Sequence, residues 1–98
     1  MIRLSPRAVR DLDALLAYYD AHDRAEAVRN LQAAVAWAAT RIEHDPGAGL
    51  PAPRPYPSLA HPGRRWIREG VYWISYATTD PPVISGVFHE RADIPGRI

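Results

Sequence analysis

The chain has no cysteine and no lysine, and only one methionine and one phenylalanine among its 98 residues. Without cysteine it can form neither a disulfide framework nor a thiolate zinc site, which suits a reducing cytoplasm. Without lysine, all twelve basic side chains are arginines, whose planar, permanently charged forks suit carboxylates, phosphates and aromatic faces. Two sources of that bias stay open: codon usage in a GC-rich genome, or a basic surface built for an anionic partner. Long apolar runs are also missing. No stretch is long enough to span a bilayer, and Arg3, Arg7 and Arg10 with no apolar run behind them do not make a signal peptide. The expectation is a soluble cytoplasmic protein. A chain this short buries about 60 to 65% of its unfolded surface, so residues 1–98 should form one domain with a modest core and little room for a large cavity.

Ile2-Arg3-Leu4-Ser5 alternates like a short strand, and Ser5-Pro6 supplies an N-cap followed by proline at the first helical position. Val9, Leu12, Leu15, Leu16 and Tyr19 then recur at helical spacing. Asp23-Arg24-Ala25-Glu26 resembles a capping box with Asp23 as cap. It opens a second apolar stripe of Ala27, Val28, Leu31, Ala34, Val35, Ala38 and Ile42, ended by Asp45-Pro46-Gly47. The short break around His22 predicts an antiparallel helix hairpin. Residues 46–62 hold six of the ten prolines without periodicity, which predicts an extended connection over the surface.

The last third reads as a three-stranded meander: Arg64 to Arg68, Val71 to Tyr76 and Pro82 to Phe88. A two-residue turn at Glu69-Gly70 pairs Arg68 with Val71, Ile67 with Tyr72, Trp66 with Trp73 and Arg65 with Ile74. One face then carries Ile67, Tyr72, Ile74 and Tyr76, ready to pack on the helices. The other carries Arg64, Trp66, Arg68, Trp73 and Ser75, and its exposure would mark an interaction surface. The fold class is therefore α+β, with a short N-terminal strand, an antiparallel helix hairpin and a three-stranded antiparallel meander completing one sheet.

This order resembles the RelE/ParE superfamily of bacterial toxins over nearly the whole chain. The resemblance is carried by Ser5-Pro6-Arg7-Ala8 with Asp11-Leu12, by Asp45-Pro46 with Gly49, by Gly70-Val71-Tyr72-Trp73-Ile74-Ser75-Tyr76, and by Val87-Phe88-His89-Glu90-Arg91-Ala92-Asp93. It implies the toxin of a type II toxin–antitoxin system, neutralised by a cognate antitoxin and meeting operator DNA only through it. RelE-like members cleave messenger RNA on the ribosome, and ParE-like members poison DNA gyrase, so fold alone does not decide function. RelE-like members usually carry arginine after the first tyrosine of the Tyr-x-Ile-x-Tyr strand. This chain has Trp73, whose indole cannot hold a scissile phosphate as a guanidinium does. No tyrosine follows Tyr76, and Glu90 beside His89 would repel phosphate. The ParE-like reading is therefore preferred, with no cofactor, and with Arg64, Trp66, Arg68, Trp73, His89 and Arg91 as partner-binding residues; the resemblance also implies that the C-terminal segment His89 to Ile98 is used toward gyrase.

The alternatives are a ribosome-dependent endoribonuclease, with Arg65, Arg68 and Arg91 on phosphate and His89 transferring protons, and a degenerate, non-toxic partner-binding protein. The plainer role for His89 is to cap the sheet end against Asp93 or a backbone carbonyl. The histidines at 22, 44, 61 and 89 have no close ligand spacing, so a metal site is not expected. Ser75, His89 and Asp93 as a triad are a coincidence of residue types, without a nucleophile turn or oxyanion hole.

Overall fold

A computed structural model describes residues 2–98. The chain runs β1 (Arg3–Leu4), α1 (Pro6–Ala21), α2 (Ala25–His44), a 3-10 turn (Pro57–Leu59), β2 (Arg64–Glu69), β3 (Tyr72–Ala77), β4 (Val83–His89) and a final turn α3 (Ile94–Arg97). The four strands form one sheet in the order β1-β4-β3-β2. β1 pairs with β4 in parallel, and the other neighbours are antiparallel. The α+β class, the N-terminal strand and the meander are as the sequence predicts.

Ser5 caps α1 by accepting the amide N–H of Ala8 at 3.1 Å, with Pro6 at the first helical position. The end of α1 departs from expectation. Asp23 is not the cap of α2; Arg24 occupies that position, without a side-chain cap. Asp23 instead adopts φ +53, and the amides of Asp23 and Arg24 bond back to the carbonyls of Asp20 and Tyr19. These are the two reverse bonds of a Schellman closure, in which an aspartate takes the left-handed position glycine usually fills. The buried stripe of α1 also shifts: Ala8 is buried and Val9 exposed, because the helix leans on β4 through its Ala8 side.

The β2–β3 turn is Gly70-Val71, one position later than predicted, with Glu69 opposite Tyr72 and Arg68 opposite Trp73. Gly70 has φ +58 and Val71 does not share that region, the pattern of a two-residue turn whose first position needs glycine. Every cross-strand pair moves by two residues relative to the predicted register. A slip of two preserves the faces, whereas a slip of one would invert them. Ile67, Tyr72, Ile74 and Tyr76 do pack on α1 and α2, with Leu31, Ala34, Ala38 and Ile42.

β4 carries a bulge: Gly86 faces Ser75 while Ile84 faces Tyr76, leaving Ser85 extra. The inserted residue reverses the alternation along the strand. Ile84 and Val87 therefore both reach the helix side, and Phe88 turns to the opposite face.

That opposite face is the largest correction. Trp66 is 0% exposed and Trp73 3%, so neither is an open interaction patch. With Phe88 and Ile94 they form a second apolar cluster, covered by Leu50, Tyr56 and Leu59. The cover is the proline-rich segment, which was expected merely to cross the surface. Leu50 pairs antiparallel with Trp66 through N–H···O bonds of 2.7 and 2.8 Å, which closes the edge of β2. The Tyr76 hydroxyl donates to Pro46 O at 2.7 Å and accepts from Gly49 N at 3.0 Å. Gly49 is needed there, since a Cβ would lie 2.6 Å from that hydroxyl.

Candidate functional site

The structure separates the predicted site residues into two groups. Arg64, Arg65 and Arg68 belong to the first, and all three are occupied internally. Arg64 donates to Leu59 O and Arg65 to Gly49 O at 2.8 Å, so both tie down the segment that covers the sheet. Arg68 donates to the Glu90 carboxylate and, at 3.2 Å, to Gly70 O. None of the three presents a free fork on an open sheet face. Trp66 and Trp73 lie beneath that cover and cannot anchor a partner while it is in place.

His89 and Arg91 form the second group. His89 ends β4 and Arg91 lies just beyond it, and both line an open groove of about 610 Å³ against α1. Other elements complete it: Arg24 from the helix hairpin, Arg97 from α3, and Tyr18 from α1. Leu15, Ala14, Val87 and Ala92 add apolar surface to its lining. The groove is basic. Its one acidic side chain, Asp11, accepts the Val87 amide N–H at 3.1 Å and lies 3.9 Å from the Arg7 guanidinium. The carboxylates nearest in sequence are also engaged, Glu90 by Arg68 and Asp93 by the amide of Gly96. Among the described residues, the guanidinium groups of Arg91 and Arg97 meet no carboxylate.

His89 takes neither of the capping roles considered from sequence. Its Nδ1 accepts the backbone N–H of Arg91 at 3.0 Å, and its ring meets the Tyr72 ring edge-on at 5.6 Å. With Nδ1 accepting, the proton of the neutral ring is assigned to Nε2. The imidazole thus offers the groove a donor. To act as a general base through Nε2, it would have to move that proton to Nδ1, where the Arg91 N–H already points. Ser75 faces the other side of the sheet, so no triad with His89 forms.

Behind His89 lies a phenol pair. The hydroxyls of Tyr19 and Tyr72 are 2.6 Å apart, and the Arg24 guanidinium carbon is 5.8 Å from the centre of the Tyr19 ring. Burial, followed by the bond to Tyr19, pushes the Tyr72 phenol well above the usual tyrosine range. A proton held that firmly makes Tyr72 a structural donor or acceptor and a poor acid near neutral pH. The pair pins α1 to β3 beneath the groove.

Sequence reading included Arg97 through the segment His89 to Ile98 and missed Arg24 and Tyr18 as members of this site. Tyr18, 55% exposed and stacked on His22 at 4.2 Å, was the available signal, since it breaks the polar face of α1. No known protein-family model matches the chain, and no curated protein matches it.

Proposed function

We propose that this chain is the toxin of a type II toxin–antitoxin pair, of ParE type, and that it works by docking on a protein target without hydrolytic chemistry. DNA gyrase is the proposed target, and a cognate antitoxin neutralises the toxin. The reading combines the sequence resemblance with one structural observation. The sheet face on which a ribonuclease of this superfamily would need free basic groups is packed with Trp66, Trp73, Phe88 and Ile94; Arg68 is paired with Glu90 and Arg64 is tied through one nitrogen to Leu59 O. The groove at His89, Arg91, Arg97 and Arg24 remains open, with charge suited to an acidic protein segment and an apolar floor to anchor it.

Purified protein added to gyrase supercoiling reactions, and separately to translating ribosomes with mapping of messenger RNA ends, tests this reading. Inhibition of supercoiling that is lost in Arg91→Glu, with the fold retained by circular dichroism, is the expected result. Cleavage in the ribosomal A site that vanishes in His89→Ala would overturn it. Inertness in both assays would identify a non-toxic binding protein.

A further inference from the structure

A second pocket lies on the opposite side of the sheet, where His61 and Pro62, the end of the proline-rich segment, belong to its lining. It has a volume of about 330 Å³ and is bounded by the first turn of α1, the start of β2, the end of β3 and the β4 bulge. Its polar lining is Arg7, His61, Arg64, Ser75 and Ser85, and no side-chain carboxylate lines it among the described residues. The groove discussed above does not share these groups.

Three features make this more than a chance hollow. The bulge lets Ser85 and Gly86 both oppose Ser75, which brings the Ser85 and Ser75 hydroxyls to 2.9 Å on one wall. Gly86 permits Ser75 and Phe88 to pack this closely, because a Cβ there would lie 2.8 Å from Ser75 Oγ and 2.6 Å from the Phe88 ring. Both arginines are held over aromatic rings, Arg7 at 5.7 Å from the Phe88 centroid and Arg64 at 5.5 Å from the Trp66 centroid. This placement leaves the edge N–H groups of Arg7 available to a ligand, whereas Arg64, with Nη2 on Leu59 O and Nε buried, keeps only Nη1. Arg64 uses one nitrogen on Leu59 O, which immobilises it further.

Two guanidinium groups, a hydroxyl pair and a histidine line the pocket, and the Asp11 carboxylate 3.9 Å from Arg7 lies outside that lining; the set matches the chemistry of a tetrahedral oxyanion. We propose that this pocket binds phosphate or a small phosphomonoester. The volume exceeds what one phosphate needs, being several times the roughly 30 Å³ that a water occupies in the liquid. The excess leaves room for a small organic group beside the anion.

Isothermal titration of the full chain with inorganic phosphate and with glycerol phosphate, at ionic strength matched with chloride, tests the proposal. Saturable one-to-one binding is expected, with shifts of the Ser85 and Gly86 amide resonances. Arg7→Gln changes a half-exposed side chain and should weaken binding about tenfold or more, with an unchanged circular dichroism spectrum. Ser85→Ala should weaken it less. Tighter binding of glycerol phosphate would assign a phosphomonoester, and equal binding the free anion. No saturable heat with either probe, or binding that Arg7→Gln and Ser85→Ala leave unaltered, would overturn the assignment.

Discussion

Replacing Trp66 by alanine tests whether the proline-rich segment really seals the sheet. The indole is 0% exposed, packs tilted against the Phe88 ring with centroids 5.7 Å apart, and lies under Leu50, Tyr56 and Leu59. Truncating a buried tryptophan to alanine usually costs about 3 to 5 kcal/mol, from lost transfer energy and the cavity left behind. Here the lower end applies. Trp66 Nε1 is buried with no hydrogen-bond partner, so its deletion also removes a polar group whose burial costs about 1 to 3 kcal/mol. The expected loss is about 3 kcal/mol, a large share of the roughly 5 to 15 kcal/mol that holds a domain together. At about 4 to 8 °C per kcal/mol for a chain of this size, Tm should fall by about 12 to 24 °C.

Urea unfolding followed by far-ultraviolet circular dichroism reads the change without relying on the deleted fluorophore. The Leu50 amide, bonded to Trp66 O at 2.7 Å, should also lose hydrogen-exchange protection. Trp37→Ala is the matched control: at 64% exposure on α2, its loss should stay within about 0.5 kcal/mol. If Trp66→Ala and Trp37→Ala proved equally mild, the covered sheet would be refuted, and the tryptophan face would again be a docking surface.

Three further outcomes are expected. The raised Tyr72 phenol means that above pH about 10 the unfolded chain releases a proton the folded chain keeps. Stability should then fall as pH rises, by up to about 1.4 kcal/mol per pH unit, and urea midpoints of Tyr72→Phe between pH 9 and 11, to order of magnitude, should show a flatter alkaline slope. Asp23→Gly removes a non-glycine residue from φ +53 and should stabilise the protein by about 0.5 to 1 kcal/mol in thermal unfolding, while Asp23→Val should do the reverse. Asp11→Ala strips the Val87 amide of its acceptor and should cost about 1 to 2 kcal/mol by urea titration, with Asp11→Asn recovering part of it through its side-chain carbonyl.

Where sequence reasoning succeeded, a repeating physical constraint was at work. Ser5-Pro6 marks a helix start because both residues satisfy local needs of the first turn. The sheet faces survived a misplaced turn because side chains alternate with period two, so only an odd slip could have exchanged Ile67 and Trp66. Asp23 failed as a cap because the same short polar side chain also suits the left-handed position that ends a helix. Local pattern cannot rank those two uses.

The sequence by itself determined the helix hairpin, the meander and which residues of β2 and β3 share each sheet face, because these follow from short-range periodicity and terminal chemistry. The tertiary structure decided what each face meets. Residues 46–62 have no period to read, yet their backbone closes the β2 edge and their Leu50, Tyr56 and Leu59 bury Trp66 and Trp73. The β4 bulge turns Phe88 to that side and pairs Ser85 with Ser75, a change of parity that nothing in the strand's alternation announces. The basic groove likewise gathers Arg24, His89, Arg91 and Arg97 from separate segments. An arginine looks alike in sequence whether it clamps a loop carbonyl, as Arg65 does, or faces open solvent, as Arg91 does, because the difference lies in which distant backbone comes within 3 Å, to order of magnitude, of its fork.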